Sequence, residues 1–177
     1  MEGRFLRAHD TAGLRAEAAR AGAEGAAAVF LGESVLGDPI VLAAGLAPGV
    51  PRVLLGVRVE LGRTERHPAM LARDITCLDL VCGGRSVLCF APPFTEPLAE
   101  AILLCRALWL PGEAVHRGPH FLVQAAANRA RPAGRQSPLI ALDLSAGGAL
   151  PDFLVGAADL LLWPTAESPA VCRLERV

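Results

Sequence analysis

The sequence predicts one α/β domain of repeated strand–helix units around a mainly parallel sheet, too short for an ordinary complete eight-unit barrel. Three observations predict it. Compact apolar runs alternate with longer stretches that carry helix-start and helix-stop residues, about five times over. The connections are short, so consecutive strands run parallel through helical crossovers. The chain has 177 residues, whereas a full barrel takes roughly 250.

Gly3 to Arg7 reads as a short first strand. Asp10 or Thr11 caps a helix to about Ala21, with Gly22 as its stop. Ala26–Leu31 is a buried strand, and Gly32, Glu33 and Ser34 follow at its C-terminal end. Asp38-Pro39 places an N-cap before a first-turn proline and starts a helix to about Leu46. Arg52–Val59 is a β-branched strand, and a polar loop leads to a helix from His67 to about Leu80. Cys82-Gly83-Gly84 ends that helix. Lying after a helix and before a strand, Gly83-Gly84-Arg85 is in the wrong order for a phosphate loop.

Ser86–Phe90 is the next strand, and Ala91-Pro92-Pro93 breaks it. A helix then runs from Glu96-Pro97 to Trp109, with Leu98, Ile102, Cys105 and Leu108 at helical spacing. Pro111–Phe121 reads as an aperiodic excursion and Ala125–Ser137 as a surface loop. Leu139–Leu144 is a strand, Leu150 to Ala158 a helix, Leu160–Trp163 a short strand and Val171–Leu174 a last edge strand.

Composition bounds the function. Hydrophobic residues make up 53% of the chain and charged residues 20%, which favours a well-buried sheet or a surface covered by another chain. The net charge is -1 and every basic residue is Arg, scattered without a block. That leaves no electrostatic footprint for nucleic acid, and the absence of Lys excludes Schiff-base or P-loop lysine chemistry. The five cysteines form no CxxC pair and fall mostly in apolar runs, as free thiols do in a reducing compartment. No secretory leader and no membrane-length apolar run is visible. The expected setting is cytoplasmic, without membrane or nucleic-acid partners.

In a parallel sheet of this kind ligands bind at the C-terminal strand ends. Those ends are Glu33-Ser34, Arg58 with Glu60, Ala91-Pro92, Asp143-Ser145 and Trp163-Thr165. Glu33 is a candidate general base or substrate ligand, or else a salt-bridge partner of Arg58 or Arg52. His67 either faces the mouth or serves as a local first-turn residue before Pro68. His116 and His120 have metal-pair spacing, but Gly118-Pro119 between them rules out a helix, so no metal site is expected. Of the cysteines, Cys77 and Cys82 lack a helix N-terminus to stabilise a thiolate, and Cys89 lies closest to a strand end.

Several short motifs in order resemble the luciferase-like monooxygenase family. They are Gly32-Glu33-Ser34 with Gly37-Asp38-Pro39, then His67 to Asp74, Leu78-Asp79-Leu80 and Gly83-Gly84-Arg85. Ala99-Glu100-Ala101, Ala107-Leu108-Trp109, Gly112-Glu113, Gly118 to Phe121, Pro138-Leu139-Ile140 and Ala157-Ala158-Asp159 continue the match. The resemblance runs from about residue 12 to 163. It implies a truncated or incomplete TIM-type (β/α) barrel in a single luciferase-like domain over 1–177. It also implies FMN or F420 as cofactor, a small organic substrate, and a homodimer or a heterodimer with a related chain.

Carried onto this sequence, the active site gathers Glu33 and His67 as catalytic residues, with Ser34, Arg58 and Ala91 at the cofactor. Two positions depart from the family pattern. Ser34 stands where a His is common, and Cys89-Phe90-Ala91-Pro92-Pro93 replaces a Gly-rich turn. Arg129, Arg131 and Arg135 are candidates for a substitute phosphate clamp or for a solvated loop. The expected function is a shortened flavin- or F420-dependent oxidoreductase or monooxygenase. The alternative is a degenerate, non-catalytic subunit that pairs with itself or a full-length relative through an open sheet edge.

Overall fold

Strands buried at nearly every position, under helices on one side and a filled barrel on the other, set the architecture. In the computed structural model, which describes residues 1–64, 66–130, 132–133, 137–166 and 168–177, seven strands close into a barrel. These are β1 (Glu2–Phe5), β2 (Ala28–Leu31), β3 (Leu54–Glu60), β4 (Ser86–Ala91), β7 (Leu139–Asp143), β8 (Leu160–Pro164) and β9 (Val171–Arg176). The first six run parallel to one another, and β9 is antiparallel to both β8 and β1.

Helices α1 (Thr11–Ala23), α2 (Pro39–Leu46), α3 (Pro68–Val81) and α4 (Glu96–Trp109) follow β1, β2, β3 and β4. Each buries one stripe against the sheet. On α4 the stripe is Leu98, Ala101, Ile102, Cys105, Leu108 and Trp109, with successive members one or three residues apart. The outer core lies between helices and sheet, and a smaller one fills the barrel.

Large and small residues interdigitate inside the barrel. Phe30 is fully buried there with Ala28, Cys89, Ala141 and Leu162. Its ring lies against β3 at Gly56, where a Cβ would sit 2.1 Å from Phe30 Cδ1. Only glycine admits the ring at that point.

The expected order of elements stands through α4, with corrections at the end of α1 and beyond α4. Gly22 does not stop α1; the helix runs on to Ala23, and Gly25 takes the left-handed conformation at φ 84°. Residues 150–158 do not form a helix, only a 3-10 turn at Asp152–Leu154. Pro151 precedes that turn and Gly156, at φ 76°, follows it, so a longer helix has neither length nor continuity. The excursion at 111–121 holds β5 (Ala114–Arg117), which pairs with β6 (Leu122–Ala126) as a separate antiparallel hairpin.

The last strand is not an edge. Its connection to β8 is too short for a crossover, so β9 returns antiparallel and its far side pairs with β1 through Gly3↔Cys172. The open edge expected to drive dimerisation is thereby absent from the barrel.

Glu100 on α4 anchors the hairpin. Its carboxylate accepts from His116 Nε2 at 2.7 Å and from the backbone N–H groups of His120 and Phe121 at 3.1 and 2.9 Å. His116 through its ring and His120 through its backbone N–H both belong to this clamp. Burial pushes the Glu100 carboxyl up, but the His116 and amide hydrogen bonds outweigh it and hold the pKa below its ordinary value of 4.5. A depressed folded value gives stability that is present above the unfolded value and lost as pH falls through the folded one. We expect the His120 and Phe121 amides to lose hydrogen-exchange protection below about pH 4.5, ahead of the barrel strands. Glu100→Gln is expected to abolish that pH dependence.

Candidate active site

The parallel strands and the helix N-termini that follow them converge at one end of the barrel. There the β1–α1 loop, the end of β2, Arg58 on β3 and the β7 end enclose a cavity of about 440 Å³. Leu6, Leu14, Phe30, Leu36 and Leu42 supply its apolar lining. Arg7, His9, Glu33, Ser34, Arg58, Asp143 and Ser145 supply the polar groups.

Asp143, 1% exposed, receives the Arg58 Nε–H at 2.6 Å on Oδ2. Its other oxygen accepts from the Ser145 backbone N–H at 2.9 Å and hydroxyl at 2.5 Å. A buried carboxylate is stable only when paired and hydrogen-bonded, and these contacts supply both conditions. They also fix the guanidinium. The terminal nitrogens of Arg58 make no hydrogen bond among the described residues, and its side chain is 34% exposed.

The structure brings together three of the five expected site residues: Glu33, Ser34 and Arg58 all line this cavity. Glu33 is exposed and forms no ion pair among the described residues; Arg58, one of its two expected partners, binds Asp143 instead. A second hollow on the α2–β3 side shares Glu33 and Ser34 and is lined by Val59, Arg63 and Arg66. Glu33 and Ser34 thus stand on a ridge between two open hollows.

His67 and Ala91 line neither hollow. His67 is the N-cap of α3: its Nδ1 accepts the Ala69 backbone N–H at 3.1 Å, and its ring packs edge-on against Phe121. Ala91 is buried at the end of β4, paired with Glu60. Cys89 is fully buried, and burial first, then the Asp143 charge, push its thiol well above the ordinary range. It is no nucleophile. Arg129 is exposed, while Arg131 and Arg135 lie outside the described residues.

Sequence reasoning placed Asp143–Ser145 at a ligand-binding strand end but gave it no role, and it did not single out His9. The signal for the first was an acidic residue closing an apolar strand two positions before a Ser, a local hydrogen-bonding pattern. Its pairing with Arg58, 85 residues away, has no local signature.

By sequence, no family model and no curated protein matches the chain. Its structure matches those of several oxidoreductases. An F420-dependent secondary alcohol dehydrogenase in complex with an F420–acetone adduct aligns with a TM-score of 0.71 at 15% identity, over 90% of this chain and 56% of that one. The F420-dependent tetrahydromethanopterin reductase of Methanopyrus kandleri aligns at 0.65 and 16%, over 81% and 50%. The EDTA monooxygenase of Chelativorans sp. BNC1 aligns at 0.64 and 21%, over 83% and 44%. The fold is that of the luciferase-like barrels. The chain spans about half the length of the structures it matches.

The mouth of a barrel with this fold offers a flavin ring and a flavin phosphate different prospects. The cavity joins apolar walls to polar groups, the lining that suits a ring system. The phosphate finds less. Asp10 caps α1 by accepting the Gly13 N–H at 2.7 Å, and Asp38 caps α2 by accepting from Ile40 at 2.8 Å and Val41 at 3.3 Å. These carboxylates occupy and neutralise the amides that would otherwise attract an anion. No α-helix follows β7 or β8 among the described residues. The lining of the mouth suits a planar ring, and among the described residues no phosphate cradle stands at α1, α2 or the β7 and β8 ends.

Proposed function

We propose that the chain is a shortened luciferase-like oxidoreductase acting on a small organic substrate at the barrel mouth, with FMN or F420 as cofactor. The observation that carries this reading is the cavity at the C-terminal strand ends, where Glu33, Ser34 and the Arg58–Asp143 pair meet. When bound, such a cofactor supplies the hydride or oxygen chemistry, and the protein supplies orientation and proton handling. Glu33 is the carboxylate placed to accept or return a proton at Oε, because no cation among the described residues neutralises it. Ser34 and Arg58 orient the bound groups. His67 acts by capping α3, outside the site.

The test is a titration of the purified protein with FMN and with F420, read by absorbance and fluorescence. Saturable binding below millimolar concentration is expected, carried by the ring and weakened by Glu33→Ala and Ser34→Ala. His67→Ala is expected to leave it unchanged and to lower stability by about 1 kcal/mol through the lost cap. No binding near millimolar cofactor by the folded protein would overturn the reading.

The second reading, a non-catalytic subunit, is favoured by one observation: strand β9 takes the place of further strand–helix units after β8. In either case we propose association with a second copy or a related chain. Exposed apolar residues support this, among them Val41 on α2 and Leu103 on α4.

A further inference from the structure

We propose that the mouth cavity binds an apolar small-molecule carboxylate, held end-on by the two terminal nitrogens of Arg58. The inference names the substrate class of the cavity discussed above. It rests on that reading for turnover but not for binding.

Asp143 engages Arg58 through Nε alone, on Oδ2, while Ser145 saturates Oδ1. A guanidinium has a fixed planar fork. With Nε taken, the edge formed by the two terminal nitrogens is the one that remains, and it matches the two oxygens of a carboxylate. The pair is already oriented before a ligand arrives, so little side-chain freedom is lost on binding.

Arg58 is one-third exposed and lines the cavity, whereas Asp143 is buried beneath it. The arriving anion therefore meets the cation first. Arg7 and His9 stand at the same cavity, and Leu6, Leu36 and Leu42 offer an apolar wall to the rest of the ligand. A cavity of about 440 Å³ has room for a medium-chain acid. A phosphate monoester is the less favoured anion, because the Glu33 carboxylate at the same cavity repels a dianion more strongly than a monoanion.

The experiment uses the full chain without cofactor. Octanoate, octanamide and inorganic phosphate are titrated by calorimetry. Octanoate is expected to bind at least about tenfold more tightly than octanamide, since one charge-assisted bidentate pair distinguishes them. Arg58→Lys keeps the charge but loses the fork, and is expected to reduce that discrimination severalfold. The double variant Arg58→Met/Asp143→Asn removes both charges without stranding a buried carboxylate. It is expected to melt as a folded protein and to bind the two probes equally.

Equal binding of the two probes by the unaltered protein would overturn the proposal. So would no octanoate binding, tighter binding of phosphate than of octanoate, or discrimination that survives in the double variant. The outcome separates from that of the flavin titration. Octanoate binding without cofactor binding keeps the carboxylate site and removes the oxidoreductase; the reverse removes the site alone.

Discussion

Replacing Arg58 with Met is expected to lower folding stability by about 3 kcal/mol, the largest effect of any single change at the barrel mouth. The cause is the carboxylate left behind. Asp143 is 1% exposed and loses its only cation partner among the described residues, while Arg58 itself is 34% exposed. The two Ser145 hydrogen bonds remain and hold the loss at the lower end for a broken buried pair. Asp143→Asn is expected to cost less, because the freed guanidinium reaches solvent while the amide keeps an acceptor oxygen for Ser145. The double variant is expected to recover most of the loss. A double-mutant cycle by urea denaturation reads the difference directly. Equal costs for the two single variants would show that Asp143 is not the strained partner.

Gly56→Ala is expected to destabilise by roughly 2–3 kcal/mol through overpacking of the barrel interior. The added Cβ meets three atoms of the Phe30 ring at 2.1, 2.4 and 3.0 Å. That ring cannot retreat: it is fully buried and lies 5.6 Å from the Phe5 ring, centroid to centroid. Phe30→Leu opens space on its own at a separate cost. In the combination Phe30→Leu/Gly56→Ala the two effects are expected to offset, so the double variant loses less than the sum of the singles. Chemical denaturation of the four proteins measures that coupling. Strict additivity would place the ring and the glycine out of contact.

Much of the fold was legible because its signals are local. Asp38-Pro39 gives both ends of the helix-start pattern, and α2 begins and ends as expected, with the Asp38 carboxylate on the Ile40 and Val41 amides. Cys82-Gly83-Gly84 ends α3 with both glycines at positive φ, at 67° and 83°. Buried runs such as Ala28–Leu31 and Ser86–Ala91 have no exposed face, as strands under helices must. The hairpin β5–β6 was not legible. Its strands are mostly exposed, and a bulge between Ala114 and His116 breaks the alternation.

The site divides the same way. Glu33, Ser34 and Arg58 were found because strand ends can be counted along the chain. His67 sits at a helix start that the sequence marks, yet its ring turns to its own helix cap rather than to the mouth. Asp143 could be placed at a strand end, but not in an ion pair.

By itself the sequence determined the alternation of strands and helices up to α4, where those four helices start and the apolar stripe of α4. Those depend on spacing and on backbone preferences within a few residues. Only the tertiary structure decided that seven strands suffice to close the barrel. It also decided that β9 turns back to seal β1, that Gly56 receives the Phe30 ring, and that Arg58 rests on Asp143. Each of these joins residues far apart in the chain, and their energies arise from packing and desolvation that exist only once the barrel is shut.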